Sequence, residues 1–225
     1  MKSSRFIFFI ITLVVLSLNS QSFSLEKTTH EAINQHIAQN SVNGFSLNTY
    51  LKNNLGFNAG KEEILVGVDA KGISSKKRIF EWFGYGGEQE DVPPENEKSW
   101  EGLKILLANK ARANNHFHNP LKTNWNEAGL NDELPILGQF TGQSQVLWAQ
   151  NTNQHVGGKW SWQDAREYFY IALTGKDFTG NNVTPLPGET EKEKRERYYT
   201  NTFRGVGQQM HLVEDASVNY EMKNG

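Results

Sequence analysis

The stretch Phe203-Arg204-Gly205-Val206-Gly207-Gln208-Gln209-Met210-His211-Leu212-Val213-Glu214-Asp215-Ala216 decides how the rest of this 225-residue chain is read. Phe203, Val206 and Met210 recur at helical spacing, and Gly205 and Gly207 leave room for a neighbour, so the stretch reads as a tightly packed, buried helix. His211 and Asp215 stand four residues apart, on one face and about one turn from each other, where they can share a cation or a structural hydrogen bond. A buried carboxylate requires one or the other. Upstream, the pattern runs back through the charged segment Glu189-Thr190-Glu191-Lys192-Glu193-Lys194-Arg195-Glu196-Arg197. Its Glu191–Arg195 and Glu193–Arg197 pairs are favourable at four-residue spacing and describe a solvated face. The longest helix is therefore predicted over 189–216.

Outward from this helix the periodicity stays helical. Thr28-Thr29-His30-Glu31 has the form of a capping box, and Ile33 and Ile37 follow it, predicting a helix from about Thr29 to Gln39. A second is predicted from Ser46 to Gly56, with Leu47, Tyr50 and Leu51 on one face and glycine at the left-handed C-terminal position. A third runs from Ser99 into 111–114 on a stripe of Trp100, Leu103, Leu106 and Leu107. Ser161 caps a fourth, with Ala165, Tyr168, Phe169, Ala172 and Leu173 turned inward until Gly175. The stretches 84–98, 151–159 and 175–188 are too rich in Gly, Asn and Pro for strands and read as loops. Gly84-Tyr85-Gly86-Gly87 lacks the Gly-Lys-Ser/Thr ending of a phosphate loop and reads as a flexible bend. Trp82, Phe83 and Tyr85 beside it are assigned to core packing rather than to a ligand wall. The fold class expected is all-α, a single multi-helix domain over 25–225 without repeats.

Composition sets the chemistry available. There is no cysteine, which excludes a disulfide scaffold, a thiolate metal site and a cysteine nucleophile, so metal chemistry must use His, Asp, Glu or backbone. Lys2 and Arg5 precede an apolar run from Phe6 to Leu18, too short to span a bilayer, and Ser22-Phe23-Ser24 supplies small residues for a peptidase. Residues 1–24 are expected to be a secretory signal cleaved before Leu25, leaving no membrane span and a periplasmic or secreted chain with 21 bases against 25 acids. That balance predicts no stable nucleic-acid complex held by charge alone.

Four of the six histidines stand beside other candidate ligands: His30 after Thr29, His116 and His118 in Asn115-His116-Phe117-His118-Asn119-Pro120, and His211 near Asp215. Taken in order, Thr29-His30-x-x-Ile33-Asn34, Glu90-Asp91-x-Pro93, His116-Phe117-x-x-Pro120 and Gly207-Gln208-x-Met210-His211-Leu212-x-x-Asp215-x-Ser217-Val218 resemble the zinc-dependent phospholipase C and P1 nuclease superfamily. The resemblance runs in pieces from residue 28 to 218.

What the resemblance implies is a helical domain with zinc ions at the bottom of a cleft, hydrolysing a phosphodiester of phospholipid or nucleic acid. His116, His211, Asp215 and Asp91 would be the ligands of one zinc. Asp215 would bridge to a second, held also by His30 and by the amino group and carbonyl of Leu25, the expected mature N-terminus. Asp91 would be the residue closest to catalysis. After the aspartate the family pattern continues Pro-x-His and draws a further histidine and carboxylate from beyond. Here the corresponding stretch reads Asn219-Tyr220-Glu221 and ends at Gly225. The expectation is a C-terminally truncated member encoding about two of three zinc sites, with weak turnover or none; the alternative is a metal-binding but non-catalytic helical binding module or a periplasmic interaction protein. His118 is assigned a loop-stabilising hydrogen bond.

Overall fold

The computed structural model describes residues 26–69, 72–91, 113–134, 138–154 and 159–217. The helix predicted from Ser99 falls almost wholly outside them, as do the signal segment, Leu25 and Glu221. In chain order the described elements are α1 (Lys27–Gln39), β1 (Ser41–Val42), β2 (Phe45–Ser46), α2 (Leu47–Leu55), β3 (Ile64–Val68), β4 (Ser74–Arg78), α3 (Ile79–Glu90), β5 (Asn131–Leu134), β6 (Gly138–Thr141), α4 (Gln145–Trp148), α5 (Trp162–Thr174) and α6 (Glu191–Ser217).

The all-α expectation is overturned. Three antiparallel pairs, β1–β2, β3–β4 and β5–β6, join the six helices among the described residues, and the architecture is mixed. The largest pair runs in register from Ile64↔Arg78 to Val68↔Ser74. In β3, Leu65 and Gly67 point inward while Ile64 and Val68 face out, the alternation of a half-buried strand. Gly67 is required there, because a Cβ would lie 2.8 Å from Thr200 Cβ and from the Trp82 ring.

Local capping explains where the helices stop. Ser46 Oγ accepts from Thr49 N at 3.3 Å, and Gly56 ends α2 in the left-handed region at φ 75°. Ser161 and Asp164 form a reciprocal capping box at the start of α5, and Gly175 closes it at φ 73°. Two readings need correction here. The Thr28 capping box is absent, since α1 starts two residues earlier behind Glu26 with no side-chain cap. Leu173 is 47% exposed, and Ile171 takes the inward position with Ala165 and Ala172.

The long helix forms over 191–217, but its ion pairs differ from the spacing argument. Arg197 makes a bidentate bridge to Glu189 at 2.7 and 2.9 Å, and Glu193 accepts from Thr190 N and Oγ to cap the helix. The segment Gly84–Glu90 is helical as part of α3, not a bend. A Cβ on Gly86 would sit 2.9 Å from Gly207 Cα, and one on Gly207 would sit 3.0 Å from Gly86 Cα. The two glycines face each other and let α3 and α6 cross backbone to backbone. Beneath the crossing, Leu51, Leu65, Ile79, Trp82, Phe83, Ala172, Tyr199 and Phe203 form the core, as assigned for Trp82 and Phe83.

Candidate metal centre

Close helix contact is what brings the chemistry together. Asn34 of α1 donates from Nδ2 to the carbonyls of Phe83 (3.2 Å) and Gly207 (2.9 Å), so one buried amide ties α1, α3 and α6. Gly87 has no room for a Cβ either, which would lie 3.0 Å from His30 O. The carboxyl end of α3, the first turn of α1 and the last two turns of α6 therefore converge. A fourth wall comes from the segment after Ala113. It is held by His116 N donating to Ala113 O (3.1 Å), Leu130 N to Asn114 O (2.7 Å), Gln143 N to Asn115 Oδ1 (2.8 Å) and Gln145 N to Phe117 O (3.0 Å). Trp148 of α4 donates from Nε1 to Glu90 Oε1 at 3.0 Å and closes that wall onto α3.

At the convergence lie His30, Asp91, His116, His211 and Asp215. Asp215 Oδ2 is 3.0 Å from His116 Nδ1 and 3.1 Å from His211 Nε2, and its Oδ1 is 3.4 Å from His30 Nε2. Asp91 Oδ1 is 3.6 Å from both His116 Nδ1 and His211 Nε2. The His30 and His211 rings stack at 3.6 Å. His30, His116, His211 and Asp215 are buried, whereas the Asp91 side chain keeps 24% exposure.

Two further carboxylates belong to the site. Glu214 Oε2 accepts from His30 Nδ1 at 2.6 Å, and Glu90 Oε1 lies 3.6 Å from His116 Nε2. Neither stands out in the sequence. Each stands next to a stronger candidate, Asp215 and Asp91, and the usable signal was that Glu214 follows His211 by three residues on the same helix face.

The electrostatics are those of carboxylates crowding imidazoles. Burial disfavours charge on His30, but hydrogen bonding to Asp215 and Glu214 outweighs it and lifts the pKa from 6.5 to about 9. Burial likewise opposes charge on His116, where Asp215 and Glu90 lift the pKa to about 9. Burial alone would raise Asp215; the hydrogen bonds from His116, His211 and His30 instead hold it well below the usual carboxylate range.

The residues present fit a metal. Two triads, His30/Asp91/His211 and His116/His211/Asp215, each bring one donor atom per residue within 4.8 Å of the others. His30 Nε2 is buried and faces Asp215 Oδ1 at 3.4 Å. Five of the six expected ligands are thus assembled, and the sixth, Leu25, lies outside the described residues. His118 stays apart from the cluster, its Nδ1 2.9 Å from Ser144 Oγ, as assigned. Among the described residues no helix is long and apolar enough to cross a membrane. Comparison with family models, with curated proteins and with solved structures finds no match to the chain.

Proposed function

We propose that this chain is a zinc-dependent hydrolase of phosphodiesters. The observation that carries the reading is the two-sided presentation of Asp215, one carboxylate oxygen toward His116 and His211 and the other toward His30. That is how a carboxylate is placed when it serves two cations. The donor set supports zinc, being imidazole and carboxylate in a chain without thiolates. His116, His211, Asp91 and Asp215 would hold one ion; His30 and Asp215 would contribute to a second.

Bound there, the ions would supply a water acidified into the neutral range and positive charge against phosphate oxygens. The protein's own part is orientation. The Gly87 carbonyl accepts from His211 Nδ1 at 2.8 Å, and Asn34 locks the helices that carry both groups. Asp91, the cluster member that reaches solvent, marks the side on which substrate would approach.

The near-complete burial of the other four side chains favours a second reading, a metal that only staples the fold. One experiment separates them: the full chain is loaded with zinc, dialysed, and assayed for metal content and for hydrolysis of bis(p-nitrophenyl) phosphate. About two zinc ions per chain with weak, chelator-sensitive turnover is the expected result. Zinc without turnover points to the staple, and no zinc removes both readings. Phosphatidylcholine vesicles and a DNA oligonucleotide, assayed side by side, then assign lipid or nucleic acid.

A further inference from the structure

Resting on that metal reading, we infer that Glu214 is a positioning residue that dictates which nitrogen of His30 faces the cation, and that the three imidazoles present a mixed set of nitrogens. A carboxylate only accepts, so the 2.6 Å contact to Glu214 Oε2 places the proton of His30 on Nδ1. His30 Nε2 is then the atom left to face Asp215 Oδ1. The Gly87 carbonyl does the same for His211, holding Nδ1–H at 2.8 Å and leaving Nε2 toward Asp215 and Asp91. His116 is turned the other way round. Its Nδ1 faces Asp215 Oδ2, Asp91 Oδ1 and His211 Nε2 at 3.0, 3.6 and 3.3 Å, while Nε2 points at Glu90. Two imidazoles thus offer Nε2, each held by an acceptor on its far side, and one offers Nδ1, with Glu90 3.6 Å behind it.

Glu214 is poised for this part by its place in the helix. It precedes Asp215 by one residue and is itself buried, so α6 delivers both the bridging carboxylate and the group that orients the histidine opposite it. No other role for its side chain is needed to account for the 2.6 Å contact.

The test is a long-range proton–nitrogen NMR spectrum of the full chain, labelled with ¹⁵N-histidine and loaded with zinc, beside zinc affinities of Glu214→Gln and Glu214→Leu. Wild type should show His30 and His211 coordinated through Nε2 and His116 through Nδ1. Glutamine keeps an acceptor for Nδ1–H and should hold zinc within a few-fold of wild type. Leucine removes the acceptor and should weaken it by about 10- to 100-fold, with the His30 signal changed and His116 unchanged. Coordination of His30 through Nδ1, or equal affinity in wild type and Glu214→Leu, overturns the inference while leaving the metal reading intact. A wild-type chain that takes up no zinc overturns both, and the wild-type spectrum decides the matter even if the leucine variant does not fold.

Discussion

Asp215 is the residue on which the cluster turns, and its two oxygens do different work. Asp215→Asn is expected to lower zinc content from about two ions per chain to near zero, whereas His30→Ala should leave about one. Elemental analysis after dialysis checks this, and equal losses would refute the bridge. The same cluster sets a pH dependence in the metal-free chain. His30 and His116 bind protons more tightly folded than unfolded, so the stability they contribute is complete below 6.5 and disappears as pH rises to about 9. Asp215 has the opposite sign, contributing above 3.8 and losing that contribution as pH falls below it. In chelator, Tm should therefore drop between pH 6.5 and 9, and zinc, which replaces the protons, should abolish the drop. A Tm that stays level in chelator would contradict it. At this scale the sequence was informative because a histidine four residues from an aspartate on a helix has few geometries open to it. Glu90 and Glu214 are hidden because each adjoins an aspartate that the local spacing favours more strongly.

Among the elements, the α3–α6 crossing controls everything the site requires. A Cβ at Gly207 would press within 3.0 Å of Phe83 C and Gly86 Cα, in backbone that cannot yield like the end of a flexible side chain. Gly207→Ala should cost about 1–3 kcal/mol of stability, read by denaturant unfolding. It should also weaken zinc binding, because the displaced strand of contacts includes the Gly87 carbonyl that holds His211. Full stability in Gly207→Ala would mean the helices can separate without penalty. The sequence showed half of this. In the sequence Gly207 reads as close packing, whereas its counterpart Gly86, inside Gly84-Tyr85-Gly86-Gly87, reads as a bend. Glycine's helix cost is visible locally, while the partner that offsets it is more than a hundred residues away. The β3–β4 pair was missed for a related reason: β4 is Ser74-Ser75-Lys76-Lys77-Arg78, with no apolar residue to reveal a period of two. Caps carried the rest, and Ser46, Gly56, Ser161 and Gly175 bound their helices where the sequence placed them.

For the molecule as a whole, the cluster joins α1, α3, α6 and the segment around His116, so a cation bound there should act on global unfolding. With free zinc about 100-fold above its Kd, the gain is about 2.7 kcal/mol, which in a chain of this size raises Tm by roughly 5–10 °C. Differential scanning calorimetry with and without chelator measures it, and an unchanged Tm would separate the cluster from the folding unit. The bond between His30 and Glu214 spans 184 positions of sequence. A ribosome adding about 5–20 residues each second needs roughly 10–40 s to travel from one to the other. Throughout that interval the nascent polypeptide carries His30 without the residues that aim it. A cation held by His30 and Asp215 together, as proposed, could be captured only after translation has passed residue 215, which would keep that site from loading on the growing chain.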